Sequence, residues 1–144
     1  MTTLTEVRNF LSGINYINSG GCGIAALAMI RWIRKNLNKE IDNIYFEHCS
    51  YCDNKNDNKK YIKNGVGTIS APTHVYISIN KKIMDVKTIV KSRNIDGAIC
   101  FKSEDILLAA INNIKSWNSR FKRRSGIKMI EKHLGITMSD VNKY

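Results

Sequence analysis

The segment that most restricts the fold begins at Cys22 and reads CGIAALAMIRWIRKNL. Its first half is apolar on nearly every side, which is typical of a helix buried among other elements. Its second half is amphipathic and carries Arg34 and Lys35 near its end, where the helix dipole favours cations. We therefore expect a central, buried helix over about Cys22–Leu37.

The chain as a whole fits a single domain. It has 144 residues, 43% of them hydrophobic, which is enough for one core. We predict one domain over 1–144, with a basic helical C-terminal part over about 103–144. Neither a secretory signal nor a long apolar span is visible. The expected location is therefore the cytoplasm, with no membrane partner.

The pattern of the remaining segments predicts an α+β fold, with helices and an antiparallel sheet segregated along the chain. The clearest β signal is THVYISINKKIMDVKTIV, which predicts a hairpin with a turn at Asn80-Lys81. The segment Glu40–Tyr51 fits either a helix or a strand. The other predicted elements are helices over Thr5–Leu11, Glu104–Ser119 and Ile127–Leu134, hairpin strands over His74–Ile79 and Lys82–Ile89, and a third strand over Ala98–Phe101.

Cys22 lies where the central helix begins, between glycines in the stretch NSGGCG. Unpaired N–H groups at a helix N-terminus favour an anion, and a cysteine attacks as its thiolate. The neighbouring glycines leave room for a substrate carbonyl and leave backbone N–H groups free for an oxyanion. A small buried cysteine is the alternative for this residue alone.

A nucleophilic thiol also needs a base and a group that orients the base. His74 opens the first hairpin strand. With a two-residue turn, Asp85 lies opposite Tyr76 and diagonal to His74 on the same face, within reach of the imidazole. Each of these two residues alone is commonly an ordinary surface group, so the prediction depends on all three together.

In this order the three segments GGCGIAALAMI, THVYISI and KIMDV resemble the motifs of the papain-like cysteine peptidase superfamily. The likeness is greatest to bacteriocin-exporter peptidases and transglutaminase-like members, and it spans about Asn15 to Val86. It implies a buried N-terminal helix packed on a small antiparallel sheet, with C-terminal helices after them. It also implies a thioester mechanism with Cys22 as nucleophile, His74 as base and Asp85 as orienting acid.

The resemblance predicts a cysteine peptidase or isopeptidase that acts on a protein or peptide substrate. An acyltransferase or a glutamine deamidase would use the same three residues, because both pass through a thioester. Many members of the superfamily place a glutamine before the nucleophile to hold the oxyanion, and this chain has no glutamine. The predicted oxyanion hole therefore consists of the Asn18 amide, with Asn15 as its alternative, and the Gly23 backbone.

A second hypothesis comes from the formal charge of +11. Basic residues cluster before the last helix, at Arg120, Lys122, Arg123 and Arg124, which suggests a nucleic-acid or acidic-protein partner. An ordinary solvated basic face is the alternative. An inactive papain-like domain that serves as a binding module is a third hypothesis. Compact size and a composition rich in Lys, Asn and Ile would suit a phage or mobile-element protein.

The segment HCSYC has the Cys-x-x-Cys spacing of a zinc site. A structural zinc site needs four ligands, and no second pair of this kind occurs in the chain. We therefore predict plain thiols at Cys49 and Cys52, beside His48, with an incomplete or shared metal site as the alternative, and we predict no metal and no cofactor for the domain.

Overall fold

The computed structural model describes residues 1–47, 74–91, 99–113 and 120–143. Within these ranges the chain forms an α+β fold with four helices and a five-stranded antiparallel sheet. The fold class predicted from the sequence is therefore confirmed. The helices are α1 (Leu4–Ser12), α2 (Cys22–Leu37), α3 (Glu104–Asn113) and α4 (Arg123–Leu134), and the strands are β1 (Asn43–Glu47), β2 (His74–Ile79), β3 (Lys82–Met84), β4 (Ile89–Val90) and β5 (Ile99–Phe101).

Helix α2 forms the centre of the core. Every residue from Cys22 to Ile30 is buried, because the helix contacts β2 on one side and α1 and α3 on others. A helix that is apolar all round needs such cover on several faces. It ends where Asn38 adopts the left-handed conformation, with φ of 49°.

The sheet runs in the order β4-β3-β2-β1-β5. Strands β2 and β3 are joined by Asn80 and Lys81, which both have positive φ, 52° and 65°. Two such residues form the two-residue turn that matches the twist of a hairpin. Ile79 pairs with Lys82, so the predicted turn and register are confirmed. The ambiguous segment Glu40–Tyr51 contains β1, and its residues after 47 lie outside the described part.

The return strand of the hairpin is shorter than predicted. The sequence predicts a strand over Lys82–Ile89, but β3 ends at Met84 and the chain then turns back to form β4. The turn forms because the Asp85 carboxylate accepts hydrogen bonds from the backbone N–H groups of Lys87 and Thr88. Such local side-chain bonds compete with the hydrogen bonds of a sheet.

The last helix begins earlier than predicted, at Arg123 instead of Ile127. Arg123 is buried, with 2% of its surface exposed. Its guanidinium donates hydrogen bonds to the carbonyl oxygens of Ile111 and Asn142, at 2.7 and 3.2 Å. These bonds tie α4 to α3 and to the C-terminal segment. The predicted helix Glu104–Ser119 is described as far as Asn113.

The C-terminal segment is tied to α2 by charged groups. Arg31 donates two hydrogen bonds to the Asp140 carboxylate, at 2.8 and 2.7 Å, and one to Glu104 at 3.2 Å. A bidentate arginine–carboxylate pair fixes geometry as well as contributing energy. Among the described residues, no helix combines the length and the apolar character that crossing a membrane requires.

Candidate active site

Cys22 is the first residue of α2, and 5% of its surface is exposed. The residue before it, Gly21, is the N-cap and offers no side chain to the first turn. The first backbone N–H groups of a helix have no partner within the helix. The sulfur is therefore at the positive end of the helix dipole, where a thiolate is favoured.

His74 and Asp85 are in direct contact. Nε2 of His74 lies 2.7 Å from Oδ2 of Asp85, and their side chains are 15% and 12% exposed. β2 supports the histidine at its first residue, and the turn after β3 supports the aspartate. The sequence predicts this contact through a continuous return strand. The structure reaches it through a turn.

The second oxygen of Asp85 is fixed by the turn. Oδ1 accepts hydrogen bonds from the N–H groups of Lys87 and Thr88, at 2.8 and 2.7 Å, and from the Thr88 hydroxyl at 2.9 Å. Burial opposes the charge of this carboxylate, but the bonds from His74 and from the turn hold its pKa well below the usual range. Asp85 is therefore an oriented anion beside the imidazole.

The thiol of Cys22 interacts with the same imidazole. Burial would lower the pKa of His74, but the hydrogen bonds with Asp85 and with Cys22, and the charges of both groups, raise it to about 10. Because Nε2 faces Asp85, Nδ1 is the ring nitrogen left for the thiol. His74 is thus bonded to Asp85 and lies close enough to Cys22 for the thiol to influence its pKa.

Arg8 supports this arrangement, although no sequence pattern pointed to it. From α1 its Nε donates a hydrogen bond to the Asp85 carbonyl oxygen at 2.8 Å, and its second amino group donates to the Thr88 carbonyl oxygen at 3.1 Å. Arg8 therefore clamps both ends of the turn that holds the carboxylate. No local pattern could reveal this contact, because the partners are 77 and 80 residues away in the chain.

Two further residues of the site, Tyr76 and Thr88, also escaped prediction. The ring of Tyr76 meets that of His74 edge-on, with centroids 4.7 Å apart. Burial, followed by the negative charges of Glu47 and Asp85, raises the pKa of Tyr76 to about 12, so its hydroxyl stays neutral. The turn at Asp85 had a readable signal, because an aspartate side chain often bonds the backbone two residues on.

The predicted oxyanion residues occupy different surroundings. Gly23 is buried in the first turn of α2, where its N–H has no helical partner. Asn18 is exposed in the turn that precedes the helix, as is Asn15. Their oxyanion role stays a prediction.

The predicted basic patch is divided by the fold. Arg120, Lys122 and Arg124 are exposed. Arg123 is not part of that surface, because it is buried and its guanidinium bonds to backbone carbonyl oxygens. Arg123 therefore joins α4 to its neighbours and is not available to a partner. The exposed patch has three cations instead of the four predicted.

The predictions about HCSYC fall outside the described residues, as do the side chains of residues 99–101. In the part of the chain that is described, no three or more His, Cys, Asp or Glu side chains are grouped so as to hold a metal ion. Comparison with known proteins adds no relative, since no family model, no curated protein and no solved structure matches this chain.

Proposed function

We propose that the chain is a papain-like thiol hydrolase, a cysteine peptidase or isopeptidase with a protein or peptide substrate. The observation that supports this most directly is the imidazole of His74, which bonds to Asp85 at 2.7 Å and lies close enough to Cys22 for the thiol to raise its pKa. A nucleophile, a base and a group that orients the base are what acyl transfer through a thioester requires.

The charge states favour an ion pair before substrate arrives. Despite burial, the hydrogen bonds with Asp85 and Cys22 raise the pKa of His74 to about 10, so its imidazole is protonated at neutral pH. The proposed reaction begins from the Cys22 thiolate beside this imidazolium, at the N-terminus of α2, where an anion is favoured. Asp85 keeps the ring oriented, because Nε2–H of His74 donates a hydrogen bond to its carboxylate.

In the proposed reaction the Cys22 thiolate attacks the substrate carbonyl carbon, and the carbonyl electron pair moves to its oxygen. When the intermediate collapses, the carbon–nitrogen bond breaks, and the amine leaves with the proton from His74. A thioester on Cys22 remains. Water then attacks this thioester, His74 takes the proton of the water, and the carboxylic acid is released as the thiolate–imidazolium pair forms again.

An acyl transfer or a glutamine deamidation would differ only in the substrate or in the nucleophile that resolves the thioester. An amine acceptor in place of water gives transfer, and a side-chain amide as substrate gives deamidation. Hydrolysis of a peptide or isopeptide bond is our first choice because water needs no second binding site.

A thiol-reactive probe tests the proposal. Iodoacetamide at neutral pH, followed by peptide mapping, should label Cys22 before Cys49 and Cys52, and His74→Ala should suppress this labelling strongly. His133→Ala is the matched control, because His133 is exposed on α4. Faster labelling of Cys49 or Cys52, or an unchanged rate in His74→Ala, would contradict the proposal.

A further inference from the structure

A cavity of about 240 Å³ opens beside the start of α4. One wall is the turn segment 14–16, and the other is the basic segment from Arg120 into the first two turns of the helix. Its lining is mostly apolar, from Ile14, Tyr16, Phe121 and Met129. The volume suits one large apolar side chain.

Two large apolar side chains at the cavity are exposed to solvent, Tyr16 by 56% and Met129 by 42%. Tyr16 also has a positive φ of 61°. This conformation is unfavourable for a bulky residue and is often kept where it serves a site. The guanidinium of Arg120 lies over the tyrosine ring, 5.8 Å from its centroid, so the mouth of the cavity combines an aromatic face with a cation.

The cavity is joined to the start of α2 through Phe121. This ring packs so closely on Gly21 that a Cβ there would lie 2.9 Å from its Cγ, and a Cβ on Gly126 would lie 2.4 Å from its Cζ. The Ser19 carbonyl oxygen accepts hydrogen bonds from the N–H groups of Arg120 and Phe121, at 3.3 and 3.2 Å. Because Gly21 directly precedes Cys22, the wall of the cavity is fixed to the residues that position the thiol.

The surface around the cavity is positive. Arg124, Lys128 and Lys132 are exposed at four-residue intervals, so they form one row along α4. Arg120 and Lys122 add two more cations at the cavity itself. An acidic residue of the same helix, Glu131, is half-buried and accepts a hydrogen bond from the Met138 N–H. An apolar cavity beside such a row is complementary to an acidic chain with an apolar side chain.

We propose that this cavity binds an apolar side chain of an acidic polypeptide segment and thereby brings the substrate to Cys22. A polypeptide fits better than a nucleic acid for two reasons. The cavity is lined by apolar side chains, and the neighbouring thiol reacts with acyl carbons, which a nucleic acid backbone lacks. The delivery step and the second of these reasons rest on the proposed function, but the match of the cavity and its cations to an acidic segment with an apolar side chain does not.

Binding is measured with the Cys22→Ser protein, which cannot form a thioester. The probe is a fluorescein-labelled peptide of Glu and Gly with one central Phe. The comparison probes replace Phe with Ser, replace Glu with Lys, or are single-stranded DNA of matching length. Fluorescence anisotropy should give tightest binding for the acidic Phe peptide. Loss of Phe should weaken it about tenfold or more, and added salt should weaken it further.

Two variants locate the binding site. Met129→Glu should weaken binding of the acidic Phe peptide about tenfold or more, because it places a negative charge in the cavity wall. Leu37→Glu is the matched control, since Leu37 is also apolar and 44% exposed but lies outside the cavity. Tyr16→Asn should weaken binding without unfolding the protein, because asparagine tolerates the positive φ.

Three results would overturn the inference: equal binding of the Ser peptide, equal weakening by Leu37→Glu and Met129→Glu, or tighter binding of the DNA. Labelling of Cys22 by iodoacetamide separates the two proposals, since Met129 takes no part in the chemistry. If the peptide binds as expected but His74→Ala does not slow that labelling, the proposed function fails and the cavity assignment stands.

Discussion

Replacing Asp85 with asparagine removes one charge from the site while it keeps the shape of the side chain. Oδ1 of Asp85 accepts three hydrogen bonds from Lys87 and Thr88, at 2.7 to 2.9 Å. In asparagine only the amide oxygen can accept these bonds. The amide NH₂ must therefore replace Oδ2 and point at His74, where it meets Nε2 as a donor.

This replacement has two consequences for His74. The neutral imidazole must accept from the amide at Nε2, so its proton moves to Nδ1, which is then unable to accept a proton from Cys22. The charged hydrogen bond is also lost, which is worth about 1.5–3 kcal/mol, or about one to two pKa units. We therefore expect the pKa of His74 to fall from about 10 by about that amount, and the Cys22 labelling rate to fall with it.

The assay follows the ring resonances of His74 by NMR as the pH is raised, in the wild-type protein and in Asp85→Asn. Asp105→Asn is the control, because Asp105 is exposed in the first turn of α3. An unchanged pKa of His74 in Asp85→Asn, or the same decrease in Asp105→Asn, would refute the reasoning that the carboxylate holds the proton on the ring.

Three further predictions concern stability and positioning. Gly21→Ala should lower the free energy of unfolding by about 1–3 kcal/mol in urea titrations, because the new Cβ would lie 2.6 Å from a backbone oxygen. Gly13→Ala is the control and should change the free energy of unfolding little, because the nearest atom to its Cβ is 3.5 Å away. Arg8→Ala should lower the free energy of unfolding by about 1–3 kcal/mol and slow the labelling of Cys22. Arg8→Lys should not restore the two bonds to the carbonyl oxygens of Asp85 and Thr88. Unchanged labelling in Arg8→Ala would show that the turn holds Asp85 without Arg8. The pKa of His74 is raised from 6.5 to about 10. The protonated imidazole therefore stabilises the fold fully below pH 6.5, and this contribution is lost as the pH rises through about 10. The melting temperature should therefore decline less between pH 6.5 and about 10 in His74→Asn than in the wild-type protein. An equal decline in both proteins would contradict this role of His74.

The central helix and the hairpin turn were predictable because each has a local cause, and the hairpin register brings Asp85 near His74. Helix α2 is apolar all round, and Asn80-Lys81 sets a two-residue turn. The early end of β3 was not predicted, although Asp85 and Thr88 held its cause, because apolar and β-branched residues recur as far as Ile89. In this segment the strand pattern competes with the hydrogen bonds that the Asp85 side chain makes to the nearby backbone. These bonds end β3 at Met84 and form the turn.

Contacts distant in the sequence were beyond prediction. Arg123 reads as one more cation in a basic run, and only the packing of α4 against α3 buries it. Arg8 reads as an ordinary helix surface residue, and its two bonds depend on how α1 packs beside the turn after β3. The cavity at Met129 likewise forms from two segments more than a hundred residues apart. No periodicity within either segment indicates such partners.

The charge of the Cys22 sulfur is the most decisive observable, since a thiolate paired with the His74 imidazolium is the state from which the proposed reaction begins. A thiolate absorbs in the ultraviolet where a thiol does not, so the difference between the wild-type protein and Cys22→Ser isolates this one sulfur. We expect a thiolate signal at neutral pH that disappears in His74→Gln. A signal that is absent at neutral pH, or one that persists unchanged in His74→Gln, would contradict this expectation.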